Sequence, residues 1–592
     1  MLVYDSNINY KGQTVGKITI NTDVQKQDFR NTTFTDEVIF DEGVEKIEIE
    51  SFKNSNIKSV FLPKSLKTIE ALAFSFCTHL KEVYIGENVS YIGKNAFELC
   101  SCISNVVLPD SLKIIDEFAF YDCNDLHEII LPDQLEELGA YSFEYCGSLQ
   151  RIVIPSKVTK IQNGTFSDCC GLKEVILHDN IEYIGYKSFY QCFSLEQIIL
   201  PEKLYHIDDM AFAECDKLKS IIIPPKNHNF IIENGLFMTS DRKEIILCLD
   251  KLIKEYIVPE YVEKIHGGAF TRCAVLESFR FNSTIDRISD KTFLGCKSLK
   301  QISLNDKIEY IGDKAFQECS SLEKIILPQK LKHLGDEVFG ECTALRSITI
   351  PDRAVNIGNF CFSNCKSLVN ITLPSKLDSI KDYSFEGCSS LCEIVVPDSV
   401  RYIGTEAFTG CSSLKKITLP DEKKLDFRVI LSPFLHVDNM KTIVYNGETI
   451  KKIARAYERI FNVAEEIICP HLSLDNVAQI SKNQFVEGFC CKDKHGIVFD
   501  KAIHDQYVEH ISTTYRRFIE ADDVSRNDDT DYSIYTDLGK YKNTAEYLMK
   551  NRMIIYDDVE KVMKSLYKSA DTELKTEFLD YVRTIEINDD LL

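Results

Sequence analysis

The stretch Cys77-Thr-His-Leu80-Lys-Glu-Val83-Tyr-Ile85-Gly-Glu-Asn-Val89-Ser-Tyr-Ile92-Gly93-Lys-Asn-Ala96-Phe97-Glu-Leu-Cys100 decides the fold. Its apolar set is Leu80, Val83, Ile85, Val89, Ile92, Ala96 and Phe97. Neither a helical nor a strand period runs through it. Leu-x-x-Val-x-Ile ends in strand-like alternation, and Ala-Phe sits in a short turn that Cys closes.

The frame returns every 23 residues. Phe occupies 74, 97, 120, 143, 166, 189 and 212, then 270, 293, 316, 339, 362, 385 and 408. Cys follows each Phe by three positions, so fourteen of the 22 cysteines are one repeat position. Twelve of the 15 prolines, from Pro63 and Pro109 to Pro397 and Pro420, are another. Proline lacks an amide proton, so it ends the strand and turns the chain. A unit this short cannot bury its apolar side chains alone. Stacked identical coils line them into continuous ladders, and the expected fold is a solenoid.

Leu-x-x-Ile-x-Leu-Pro followed by Leu-x-x-Ile-Gly-x-x-Ala-Phe-x-x-Cys resembles the BspA-like (Treponema-type) leucine-rich repeat. Ile311-Gly312-Asp-Lys-Ala315-Phe316-Gln-Glu-Cys319 and Ile403-Gly404-Thr-Glu-Ala407-Phe408-Thr-Gly-Cys411 carry the likeness, which spans roughly residues 38–420. It implies a β-rich solenoid used for recognition, in adhesins and elsewhere, with no catalytic residues to carry over.

Phe212 and Phe270 are 58 residues apart, one period plus 35. The extra length lies in Asn227 to Ile257. Phe230–Phe237 and Ile245–Leu249 read as two strands flanking a turn at Thr239-Ser-Asp-Arg. A hairpin insertion in one continuous core is the leading reading, and a hinge between two solenoids is the alternative. Upstream, Val44-Glu-Lys-Ile47-Glu matches Leu66-Lys-Thr-Ile69-Glu with the Cys and Ala-Phe signatures lost. That is a degenerate first coil behind a cap. Downstream, Met440-Lys-Thr-Ile443-Val-Tyr445 looks like the last strand. The organisation expected is a cap and degenerate coil over 1–50, a first array over 51–226 and an insertion over 227–262. A second array with a closing coil over 263–447 follows, and 448–592 is a separate domain.

The period changes after about residue 447. Ile450 to Ile468 has helical spacing, and Ala502 to Ile519 places Ile503, Tyr507, Ile511, Tyr515 and Phe518 on one face. Asp557 and Glu560 resemble a capping box opening Val559 to Tyr567. Asp571 or Thr572 can cap Leu574 to Val582. Ala521 to Asp537, rich in Asp, reads as a solvated loop. The expected fold class is therefore a β-rich leucine-rich-repeat solenoid of 23-residue coils, sixteen or seventeen in number, followed by an all-α C-terminal domain.

Composition narrows the function. The 592 residues are 44% hydrophobic and 27% charged, as in globular proteins, with a net charge of −22. That balance argues against nucleic acid or an anionic membrane as the main partner. No segment is apolar enough to span a membrane. The N-terminus lacks the pattern of a secretory signal, so the expected compartment is the cytoplasm and the cysteines are expected as free thiols. Asn88-Val-Ser and Asn163-Gly-Thr would matter as sequons only in a secreted chain.

Candidate chemistry is thin. The Cys column reads as small buried hydrophobes, with no accompanying His or Asp column. Cys469, His471, Cys490, Cys491 and His495 make poor zinc knuckles and read as ordinary thiols and imidazoles. Asn527-Asp-Asp-Thr-Asp531 with Asp537 lacks the turn glycine and terminal Glu of a calcium loop. His504, Asp505 and His510 have no nucleophile beside them, and no phosphate loop, zincin helix or nucleophile elbow occurs. No cofactor, metal or catalytic residue is assigned.

One surface column stands out. The residue between the two inward apolar positions of each strand faces outward. In the first array these residues are Tyr84, Val107, Ile130, Val153, Ile176, Ile199 and Ile222. In the second they are Arg280, Ser303, Ile326, Thr349, Thr372, Val395 and Thr418. The first row is apolar and the second mostly polar. Strand propensity alone would favour Thr as readily as Val or Ile. The leading expectation is a non-enzymatic recognition scaffold that binds a protein or peptide on the first row. A cell-surface adhesin, and a sensor whose helical tail is an effector, enzymatic or not, stand as alternatives.

Overall fold

The computed structural model describes residues 2–420, 433–434, 436–437, 439–445, 466–469, 490–493 and 496–500. The chain divides into two units, Met1–Leu299 and Lys300–Leu592. Each winds as a β-solenoid, and among the described residues the turns number about eighteen. Among the described residues no helix is long and apolar enough to cross a membrane.

In the first unit most coils contribute two short strands, each in a different parallel stack. One stack holds Ser59–Phe61, Glu82–Tyr84 and Asn105–Val107, and later Arg151–Val153 with Glu174–Ile176. The other holds Thr68–Ile69, Tyr91–Ile92 and Ile114–Ile115. Pairing is in register, Val83 opposite Val106 and Tyr91 opposite Ile114, so like residues stack on like. A 23-residue period produces this directly, because each coil returns every position to the same place.

The Ala-Phe-x-x-Cys turn has its own ladder. Amides point alternately within the turn and to the next coil. Asn95, Phe97 and Leu99 donate to the carbonyls of Glu117, Ala119 and Tyr121 at 2.9, 2.8 and 2.7 Å, while Ala96 donates back to Gly93 at 3.1 Å. The alternation places Asn95 and Leu99 at φ 58°, a conformation that costs a side-chain-bearing residue energy and persists only when its surroundings enforce it. Gly93 serves close approach: a Cβ there would lie 2.8 Å from the Ala71 nitrogen of the preceding coil.

The core is a column of phenylalanines. Phe74, Phe97, Phe120, Phe143 and Phe166 stack with centroids 5.2, 5.3, 5.4 and 5.8 Å apart and are fully buried. The column starts earlier than the signatures suggest, at Phe29 and Phe52, 5.0 Å apart. Tyr10 lies 4.9 Å from Phe29 and closes the end. In the second unit the column runs from Phe316 through Phe339, Phe362, Phe385 and Phe408 to Phe434. The added turns come from these terminal coils, where Ser55 stands for Cys and Phe434 comes 26 residues after Phe408 instead of 23.

The Cys column is buried and free. Down the column thiols donate to the carbonyl of the preceding coil's phenylalanine: Cys100 to Phe74 at 3.0 Å, Cys146 to Phe120 at 3.2 Å, Cys169 to Phe143 at 3.1 Å. A small apolar residue with a weak donor suits this place. Burial pushes Cys123 and Cys169 well up, and Cys342 to about 12.

The all-α assignment beyond residue 447 is corrected by the structure. Every described residue there lies in a strand. Thr442–Tyr445 pairs in parallel with Glu466–Cys469, which pairs antiparallel with Gly496–Asp500, itself antiparallel to Cys490–Asp493. Ile467 and Ile468, placed at the end of an expected helix, are in a strand. Short β-branched runs fit either period, and pairing with an existing sheet decides between them. The expected helices at 502–519, 559–567 and 574–582, the loop at 521–537 with its calcium-like Asp residues, and His471, His495, His504 and His510 lie outside the described residues.

Two outcomes follow. Phe143→Ala, which opens a gap between two rings, lowers stability in urea unfolding by about 3–5 kcal/mol. Iodoacetamide at pH 8 labels the exposed Cys170 and Cys392 in the folded chain and leaves the buried thiols, Cys342 among them, until denaturant is added. Mass spectrometry of the labelled peptides reads this out.

Candidate functional site

The outward row of the first unit is built by the strand stack. In Arg151–Val153 and Glu174–Ile176 the central residues, Ile152 and Val175, face the core, and Val153 stands opposite Ile176 outside. Gln197–Ile199 and Ser220–Ile222 repeat this with Ile199 opposite Ile222. Val107, Ile130, Val153, Ile176, Ile199 and Ile222 are all exposed, and Tyr84 is partly so. Their coils stack roughly one strand spacing apart, about 4.8 Å, so their side chains form one stripe.

The stripe extends one coil further than the repeat signatures indicated. Phe61 is 55% exposed, and its ring stacks on Tyr84 at 4.6 Å. The signal was available: Phe61 occupies the same position in its coil as Tyr84, one period on. The Tyr84 hydroxyl accepts from the Asn105 amide at 3.1 Å, which fixes the ring at the stripe's edge. Beside the stripe, Arg151 and Glu174 pair across strands at 2.7 Å.

Ile130 protrudes most, at 77% exposure, where the ladder frays to a single bridge between Glu128 and Arg151. The second unit repeats this arrangement. Ile326 is 74% exposed, beside a single bridge between Lys324 and Ser347. A cavity of about 170 Å³ opens there, lined by Lys324, Ile326, Leu327, Gln329, Ser347 and Thr349. The rest of that unit's row is Ser303, Thr349, Thr372, Val395 and Thr418. Two apolar residues therefore stand isolated among hydroxyls.

A second face, formed by the turns of the first unit, mixes aromatics with carboxylates. Phe118 stacks on Tyr141 at 4.9 Å, and Tyr121 meets Tyr145 edge-on at 5.5 Å. Burial among them pushes the Glu144 carboxyl up to about 7, with the Ser167 hydroxyl and the charge of Lys187 opposing. The nearby Asp168 carboxylate adds to the rise. Asp122 is raised by burial as well. Among the described residues no three His, Cys, Asp or Glu side chains group as a metal ion would need.

A carboxyl raised by folding holds its proton more tightly in the native state. Its contribution is therefore present at low pH and lost as pH rises from the ordinary carboxylate range through about 7. Glu144→Gln removes that loss. In urea titrations at pH 5.5 and 8.0 the variant shows a smaller stability drop than the parent chain.

The chain's likeness to known proteins agrees with the coil geometry. The family description "BspA type Leucine rich repeat region (6 copies)" matches residues 10–127, 136–257, 248–356 and 334–462. No curated protein matches the chain. Among solved structures, a leucine rich cell surface protein from Faecalibacterium prausnitzii is 26% identical. That alignment covers 64% of this chain and 83% of that one, with a TM-score of 0.39. A leucine-rich repeat protein from Bacteroides ovatus is 28% identical over 62% of this chain and 88% of its own, with a TM-score of 0.31. One from Eubacterium ventriosum is 22% identical over 57% and 84%, with a TM-score of 0.41. With its matches spread over more than half its length, the chain belongs to the BspA-type leucine-rich-repeat family.

Proposed function

We propose that this protein is a non-enzymatic recognition scaffold whose first-unit strand face binds another protein or a peptide. Leucine-rich-repeat proteins generally act by binding other proteins. The observation that carries the proposal is the row Val107, Ile130, Val153, Ile176, Ile199 and Ile222, six neighbouring outward apolar side chains, all exposed. Tyr84 and Phe61 lengthen it. Idle surfaces seldom carry contiguous apolar patches larger than a few hundred Å². The partner docks by shape and apolar complementarity along the stripe, and the charged residues beside it, such as Arg151 and Glu174, form a polar rim.

Ile130→Asp combined with Ile176→Asp tests this. Both side chains point away from the core, so the far-ultraviolet circular dichroism and the melting curve stay as in the parent chain. Partner capture in a pull-down is lost. Unchanged capture by the folded double variant refutes the assignment.

A further inference from the structure

The insertion between the arrays is a wall. Its strands Phe230–Glu233, Leu236–Thr239 and Glu244–Cys248 form an antiparallel meander. Cross-strand partners share a face, so Phe237 and Leu247 look one way, and Leu236, Met238, Ile245 and Cys248 look the other. All six are buried. Phe230, Phe237 and Leu247 belong to the apolar core that begins at Tyr4. On the opposite face the Cys248 thiol donates to the Asp250 carbonyl at 3.3 Å, and Ile245 pairs with Ile265.

The turn ladder breaks at the same place. Lys187, Phe189 and Gln191 donate to Asp209, Ala211 and Ala213 at 3.3, 2.9 and 3.0 Å. The next rungs belong to Met210 and Phe212, whose amides have no partner in a following coil among the described residues. Rungs resume at Gly268 to Asp290 and Phe270 to Thr292, at 2.9 and 3.0 Å.

Charged side chains bridge this gap. The Glu214 carboxylate, 4% exposed, accepts from Lys291 Nζ at 2.7 Å, Tyr190 OH at 2.5 Å and Gln191 Nε2 at 3.2 Å. Arg272 lies 3.8 Å from it and also pairs with Asp216. Asp209 Oδ1 accepts the Gly267 amide at 2.6 Å and faces His266 Nδ1 at 3.3 Å. The other ring nitrogen of His266 lies 2.6 Å from Glu244 Oε2. These contacts tie the coils before the wall, the wall itself and the coils after it.

We infer that this ionic cluster is a latch on a conformational joint. The coils ending near Ile222 and those beginning near Lys264 share neither a continuous phenylalanine column nor a continuous turn ladder. Apart from the wall's own short pairing with Lys264–Ile265, the direct ties between these coils are the charged contacts. A buried carboxylate that loses its cation is unfavourable, whereas replacing both partners together is tolerated. Loss of one partner opens the joint while the coils on each side stay wound. The joint sits where the outward row ends at Ile222, so its opening sets how the apolar stripe continues into the next coils. The latch itself does not depend on what the stripe binds.

Hydrogen exchange with mass spectrometry on the full chain tests this. The junction amides are Cys248, bonded to Ala269 at 2.8 Å, and His266, bonded to Ile245 at 2.9 Å. Phe97 and Phe120, deep in the first array, serve as references. Lys291→Met speeds exchange at the junction about tenfold or more and leaves the references unchanged. Adding Glu214→Gln to Lys291→Met returns the junction close to the parent rate. Asp209→Asn, at a more exposed site, gives a milder form of the same pattern and serves if Lys291→Met does not fold. The inference is overturned by unchanged junction exchange. Equal acceleration at the references, or a double variant no slower than the single one, overturns it as well.

Discussion

No coil of this protein can bury its own apolar residues. A 23-residue unit offers one phenylalanine, a few aliphatic side chains and a thiol, and each is covered only when a second coil lies on top. Everything else follows from that dependence. The phenylalanine rings stack, the strands pair in parallel with like over like, and the turn amides reach to the next coil. Energetics of this kind are nearest-neighbour in form, so the ends need special treatment. Tyr4 and Tyr10 cap the first ring for that reason.

Stacking constrains inward positions strictly and outward ones hardly at all. Phenylalanine and cysteine recur through fourteen coils, while the outward strand position ranges over Phe, Tyr, Ile, Val, Thr, Ser and Arg. A long apolar run at an unconstrained position thus says more about function than any residue of the core. The contrast between Val107–Ile222 and the hydroxyl-rich row from Ser303 to Thr418 is the chemical asymmetry on which recognition is proposed to rest. The wall at 230–248 lies beside that change. There, apolar continuity gives way to charges whose partners are up to 101 residues apart.

The solenoid was legible because its signal is redundant: Phe and Cys in phase over fourteen coils, and Pro in phase with them at twelve positions. The outward row was legible for the same reason, since one strand fixes the orientation of all. What escaped had no such redundancy. Phe29 and Phe52 occupy proper core places, but their coils lack Cys, and Phe61 precedes the first coil with the complete Ala-Phe-x-x-Cys signature. The three-stranded form of the insertion depends on the tight turn at Asn234-Gly235, where both residues have positive φ, inside what reads as a single apolar run. Beyond residue 447, Ile467, Ile468 and Val498 suit helix or strand, and a waiting sheet edge settles the choice. The ionic latch is invisible in sequence because Tyr190, Glu214 and Lys291 meet only after the wall has folded between their coils.

Excision of one whole coil, residues 147–169, measured against excision of half a coil, residues 147–158, tests the stacking claim most directly. If identical turns share one interior, the 23-residue deletion leaves every remaining position in register. Its far-ultraviolet spectrum per residue matches the parent chain, and its urea midpoint stays close to the parent value. The 12-residue deletion breaks register and loses cooperative unfolding. Comparable tolerance of both deletions, or collapse of the chain lacking one full coil, would contradict the account.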